Sequence, residues 1–378
     1  MERDLSHPPI NCGLREQINC SFLFRSPQME KVGETERTVE SSNDLGRDGL
    51  SHMDVFHYRG KKYEVPVFDA NEAPIVLKSG VSKISLPDAS PILRTIDSIW
   101  TLAEFLRPRY PVSLGLLNTD ELTVFTKPGA VRVLDMPIKM PDCDEYRIPR
   151  AFSQFTGVIQ RIIDVEHRVN PNHADYYGYL TIDQRWVEPG TLHREAPCHV
   201  DGFQGARWNP KCRTNHTYTV SDVLPTAYYI QPFDFSGLDE RAHDFFWEMN
   251  AQVADTREAH RWQPQPAEVT LMDCYTVHRG VENKSDSRVF RTWLRLSFEE
   301  RRRIFDRLGN THNPFFDYNW TMVERDIEQL GLSAYRITSD PSLRVFPWQD
   351  LSGNPLPAGA PKTKPQLYKS TNPVEQTV

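Results

Sequence analysis

The 378-residue chain has no apolar run approaching the roughly 18 residues that a membrane-spanning helix requires. Mean hydropathy is −0.56, on the polar side for its size. It has no excess of positive charge either. Forty-four Lys and Arg stand against 51 Asp and Glu, a net of −7. That excludes a general nucleic-acid binder, which needs a basic face to displace counterions from phosphates. No apolar segment follows Met1, so no secretory signal is expected and a cytoplasmic location is. Six cysteines (12, 20, 143, 198, 212 and 274) are scattered without a Cys-x-x-Cys pair and read as reduced thiols. Gly-x-Gly-x-x-Gly, P-loop and Ser-x-x-Lys signals are missing too.

Histidine and proline are plentiful, at 12 and 29 residues. Residues 1–52 are polar and aperiodic, which predicts a flexible arm. From Pro341 the chain carries seven prolines and ends polar, which predicts an extended tail over 341–378. Between them, 53–340 reads as a single catalytic domain. Ser90-Pro91 opens a helix with a Ser cap and Pro in its first turn, and apolar residues recur at helical spacing up to Pro108. Further helices are expected over 150–167 and 238–254. Strands are expected over 176–187, 226–233, 267–277 and 288–298, where aromatic and β-branched residues concentrate. Strands joined by loops predict a mainly β fold with flanking α-helices, an antiparallel sandwich or barrel.

The histidines carry the chemistry. In a strand, residues i and i+2 point the same way, so an extended His-x-Asp delivers two metal ligands to one side. Twelve histidines and 27 aspartates in 378 residues give about one such match by chance, and three occur. His52-Met-Asp54 sits at the edge of the arm. His173-Ala-Asp175 follows a turn, where a capping role is expected. His199-Val-Asp201-Gly202 follows a strand and precedes a long insertion, as the end of a metal-bearing strand would. A third ligand is offered by His278, at the end of the apolar strand from Val269, with Asp273 five residues earlier. In the strand that follows, Arg291, Trp293, Arg295 and Ser297 share one face. Two arginines on a strand face are unusual core content, and the guanidinium fork suits a carboxylate.

His199-Val-Asp201, then His278 after 77 residues and Arg291 after 13 more, resembles the Fe(II)/2-oxoglutarate-dependent dioxygenase superfamily over about 176–300. The resemblance implies a double-stranded β-helix (jelly-roll, cupin-like) core. It implies Fe(II) on His199, Asp201 and His278 and 2-oxoglutarate chelating the metal, with O₂ as co-substrate. The distal carboxylate of 2-oxoglutarate would pair with Arg291. The 13-residue interval is longer than the commonest, so Arg288, at ten residues, is the rival. Arg295 is a third candidate, for 2-oxoglutarate or for a substrate carboxylate.

Tyr229 and Gln231 share one face of the strand after the insertion and either line the substrate pocket or pack in the core. Cys198, His199, Cys212 and His216 match no compact zinc-finger spacing. His193-Arg-Glu195 is an acidic variant of the ligand pair, better suited to a local polar contact. The acidic charge and the scattered arginines point to a small anionic substrate, an amino acid among them. The chain resembles fungal secondary-metabolite oxygenases of free amino acids, including aziridine-forming ones. Two other classes fit the same residues: a cupin-like metalloenzyme that does not use 2-oxoglutarate, and a jelly-roll binding protein without catalysis.

Overall fold

From Val289 to Glu299 the side chains alternate between two different surroundings. Leu294, Leu296 and Phe298 are wholly buried in an apolar core, while Arg291, Arg295, Ser297 and Glu299 are buried on the opposite face. A period of two is what a pleated strand imposes. This strand is the last that the computed structural model describes. Its described residues are 50–58, 61–80, 90–129, 132–194, 198–202, 212–238, 245–254, 260–300 and 311–316.

In chain order the strands are β1 (Leu50–Tyr58), β2 (Lys61–Phe68), β3 (Ile75–Leu77), β4 (Val112–Leu116), β5 (Val133–Lys139), β6 (Tyr146–Ile148), β7 (Tyr177–Val187), β8 (His216–Ser221), β9 (Ala227–Tyr229), β10 (Arg261–Trp262), β11 (Glu268–Asp273), β12 (His278–Arg279) and β13 (Val289–Glu299). The α-helices are α1 (Pro91–Thr95), α2 (Thr119–Phe125), α3 (Thr156–Val169) and α4 (Phe245–Ala254). Strands β4, β11, β8, β13, β7 and β5 form, in that order, a six-stranded sheet with every pairing antiparallel. A small sheet of β10, β9 and β12 is antiparallel as well. The fold is mainly β with few helices, as the strand-and-loop pattern predicts.

The large sheet has an apolar outer face. Leu180 and Ile182 of β7, Tyr218 and Val220 of β8, and Leu271 of β11 join the β13 residues there. Helix α3 covers them with Ile159, Ile162 and Ile163, spaced three and four residues apart on one stripe. The inner face is buried yet polar: Thr181 and Asp183 of β7, Thr217, Thr219 and Ser221 of β8, and Thr270 of β11 stand beside the β13 arginines. The small sheet meets this face through the Tyr228 hydroxyl, 2.9 Å from Thr219 Oγ1 and 3.2 Å from Thr270 Oγ1. Buried polar groups on this scale need partners, and several of them partner one another.

The helix expected from Ser90 ends much sooner than Pro108. Ser90 Oγ does cap Ile92 N at 3.3 Å. Beyond Thr95 the backbone turns to pair with a distant segment: Trp100 N donates to Cys212 O (2.9 Å) and Thr214 N to Ser98 O (2.8 Å). Only a 3-10 turn, Leu102–Leu106, follows. The second helix begins as a 3-10 turn over Arg150–Phe155 and becomes α3. The third is present as α4, and positions 239–244 lie outside the described residues. Helix α2 is an addition, opened by a reciprocal cap in which Asn118 Oδ1 accepts from Glu121 N and Glu121 Oε2 from Asn118 N. The arm through residue 49 and the tail from Pro341 lie outside the described residues.

Candidate metal centre

His199 and His278 are brought together by the backbone. They form an antiparallel bridge in which His199 N donates to His278 O (3.0 Å) and His278 N to His199 O (2.8 Å). Side chains of such a directly paired couple rise on the same face, and the two rings sit 4.5 Å apart between centroids. Asp201, two residues on, points the same way. One ligand atom from each of His199, Asp201 and His278 lies within 4.8 Å of the others. No other such group of three occurs among the described residues.

Local structure explains the presentation. After β11, Asp273 Oδ1 accepts from Thr276 Oγ1 (2.8 Å) and from Tyr275 N (3.0 Å), tying a tight turn just before His278. Burial raises the Asp273 carboxyl above the usual range, with the Arg109 charge pulling the other way. Gly202 follows Asp201 with φ of +66°, and a Cβ there would collide with the Asn215 side chain. The chain can turn away at this point only with glycine.

His278 Nδ1 lies 2.9 Å from Thr276 O, so Nδ1 carries the proton and the Nε2 lone pair faces the triad. Burial lowers the His278 pKa, which keeps the imidazole neutral, the form that binds a metal. Nε2 stands 3.9 Å from Asp201 Oδ1, beyond a hydrogen bond. Two imidazoles and one carboxylate, without a thiolate, match the donor set of non-haem iron. Cys198 and Cys274 pack in an apolar cluster with Val200 and Val277.

The three arginines have three different fates. Arg288 is exposed and stacks over the half-exposed Trp186 ring at 4.5 Å, on the outside. Arg291 is buried on the inner face; its Nε donates to Val223 O (3.0 Å), and its terminal nitrogens take no hydrogen-bond acceptor among the described residues. Burial lowers its pKa to about 10, still protonated at neutral pH. Arg295 is committed: Nη1 donates to Asp201 Oδ2 (3.0 Å) and Nη2 to Asp135 Oδ1 (2.7 Å).

Tyr229 and Gln231 make contacts of other kinds. Tyr229 packs in the apolar cluster with Cys198 and Val277, and Gln231 Nε2 donates to Gln252 O in α4 (3.3 Å). The strand register gives the inner position to Tyr228, whose ring lies 5.9 Å from that of His278. Next to Tyr228 and Trp293 is a small opening of about 10 Å³, room for little more than one water, lined also by Thr219, Ser221, Thr226 and Thr270. Asp135 and Tyr228 were not legible as site residues. A lone Asp within the apolar run of β5 was the signal for the first, and strand parity for the second. The other His-x-Asp pairs are used elsewhere. His173 stacks on His167 at 3.8 Å and Asp175 binds Arg213 (2.6 Å), while His52 is exposed in β1. His193 Nε2 pairs with Asp183 Oδ2 at 3.0 Å, and Glu195 lies outside the described residues. His216, from the zinc alternative, is held by Glu166 on the sheet's outer side (2.6 Å).

No protein-family profile matches the sequence, and no curated protein does. The chain is weakly similar to several solved structures. EvdO2 from Micromonospora carbonacea var. aurantiaca, complexed with 2-oxoglutarate, is 15% identical with a TM-score of 0.21 over 33% of this chain and 51% of that one. AviO1 from Streptomyces viridochromogenes Tue57 is 12% identical, TM-score 0.28, over 57% and 96%. EctD from S. alaskensis with bound Fe is 17% identical, TM-score 0.31, over 61% and 85%. The chain spans about half the length of EvdO2. Overlap at this level fixes no activity. No described helix is long and apolar enough to cross a membrane.

Proposed function

We propose that this chain is an Fe(II)/2-oxoglutarate-dependent oxygenase on a double-stranded β-helix core. His199, Asp201 and His278 hold the metal and Arg291 holds the distal carboxylate of 2-oxoglutarate. The observation that carries this is the pairing of two things on one buried polar surface. One is a two-histidine, one-carboxylate group gathered within 4.8 Å. The other is a buried arginine whose terminal nitrogens face no acceptor among the described residues. Bound iron, 2-oxoglutarate and O₂ would together supply oxidation of an unactivated C–H bond, with succinate and CO₂ as co-products.

The chain's own residues do the rest. Thr276 O fixes the His278 tautomer so that Nε2 is the ligand atom. Arg291 spends Nε on Val223 O and feels the Asp222 and Asp183 charges, while its terminal nitrogens remain open to an anion that pairs with both. The hydroxyls of the inner face, Thr181, Thr217, Thr219 and Thr270 among them, suit a polar substrate. The substrate class we favour is a small anionic molecule, an amino acid of cytoplasmic secondary metabolism. The outcome would be hydroxylation, desaturation or an oxidative cyclisation such as aziridine formation.

Anaerobic titration with Fe(II) and then 2-oxoglutarate tests the assignment. A weak visible band near roughly 500–550 nm should grow in and be absent from His199→Ala and Asp201→Ala, since each removes a ligand. Iron binding without the band and without succinate release leaves a cupin-like metalloenzyme. No iron binding leaves a binding protein.

A further inference from the structure

Arg295 is engaged by two carboxylates that lie far apart in the chain, 94 and 160 residues from it. One is the metal-facing Asp201. The other, Asp135, has no counterpart in any ligand pattern. It sits in β5 where the register against β7 slips between Val133 and Met136, and its φ is +41°. A bulge re-aims a side chain, and a left-handed non-glycine residue persists only where its surroundings hold it there. Here the bulge turns Asp135 inward: it is buried, its N–H donates to Thr181 Oγ1 (2.9 Å), and its Oδ1 receives Arg295 Nη2.

We propose that Asp135 and Arg295 are positioning residues that set the orientation and the charge of Asp201 as a metal ligand. This rests on the metal reading above. Arg295 Nη1 holds Asp201 Oδ2 and thereby turns Oδ1 toward His278 Nε2, 3.9 Å away. A lone arginine against Asp201 would cancel the ligand's charge and compete with a divalent cation. Asp135 prevents that. With two carboxylates on one guanidinium, the trio keeps a net charge of −1, and the ligand keeps its basicity. Partners of this kind behind metal ligands typically alter affinity by about 10–100-fold.

The test is anaerobic Co(II) titration of the full chain, read by ligand-field absorption, for the wild type, Asp135→Asn, Arg295→Gln and Arg295→Lys. Melting of each apo protein is followed by circular dichroism. Asp135→Asn should weaken Co(II) binding about tenfold or more and shift the visible bands, because Arg295 then bears on Asp201 alone. Arg295→Lys keeps the charge but cannot span both carboxylates, so it should lose affinity as well, and it serves if Asp135→Asn does not fold. If Asp135 merely neutralises a buried arginine, the variants melt lower while Co(II) affinity stays within twofold of wild type; that result overturns the proposal. A wild type that binds no Co(II) removes the metal reading itself, a different failure.

Discussion

At the scale of single residues, the site divides labour among arginines that look alike in sequence. Arg291 is buried beside a polar inner face and Arg288 lies outside on Trp186. Arg291→Ala should therefore weaken 2-oxoglutarate binding by tenfold or more, since a buried charge pair typically contributes about 2–5 kcal/mol when one partner is cut. Arg288→Ala should leave it within twofold. Anaerobic 2-oxoglutarate titration of the Fe(II)-loaded protein measures both, and the reverse order would transfer the role to Arg288. Gly202 offers a second check. Its φ of +66° and the close Asn215 side chain leave no room for a Cβ. Gly202→Ala should displace Asp201 and weaken Co(II) binding, measured by the same absorption titration.

At the scale of elements, the outer face of the large sheet and helix α3 hold the frame that the site is built on. Leu296 is fully buried there, so Leu296→Ala should cost about 2–5 kcal/mol in urea unfolding. Helix α3 also carries a pH-sensitive contact. His167 is held down to about 4 by burial and by His173 stacked beside it. Above pH 6.5 the imidazole is neutral in both folded and unfolded chains, and it adds no pH dependence. Between 6.5 and about 4 the unfolded chain takes a proton that the folded one refuses, so stability falls as pH falls. His167→Phe should flatten that part of the melting-temperature profile. If wild type and variant lose stability in parallel from pH 6.5 to 4, another group is responsible. Elements also show where local pattern failed. The apolar spacing from Ile92 to Leu106 is helical, yet backbone pairing with 212–214 stops the helix at Thr95. That competition is invisible to periodicity. Helix α2, not expected from the sequence, is held by the Asn118–Glu121 cap.

At the scale of the whole molecule, a buried polar surface between two sheets is an expensive arrangement unless its groups are paired or a ligand uses it. The proposed oxygenase gives that surface a use. Screening small carboxylic acids and amino acids for substrate-dependent succinate formation should identify a compound that accelerates it. The dependence should vanish in Asp201→Ala, which retains the sheets but not the ligand.

The sequence by itself determined the local content of the site. His199 and Asp201 stand two residues apart, the spacing that brings two side chains to one side of an extended chain, and strand parity puts Arg291 and Arg295 together and away from Leu294 and Leu296. Spacing along the chain carries that information, so it could be read without coordinates. Only the tertiary structure decided which arginine is committed. Arg295 is held by Asp201 and Asp135, brought to it across 94 and 160 residues, and Asp135 reaches it through a bulge. The pairing of Tyr228 with His278 was likewise decided by the register of β9 against β12. Such partners depend on how the strands pair across the chain, and no local period encodes that pairing.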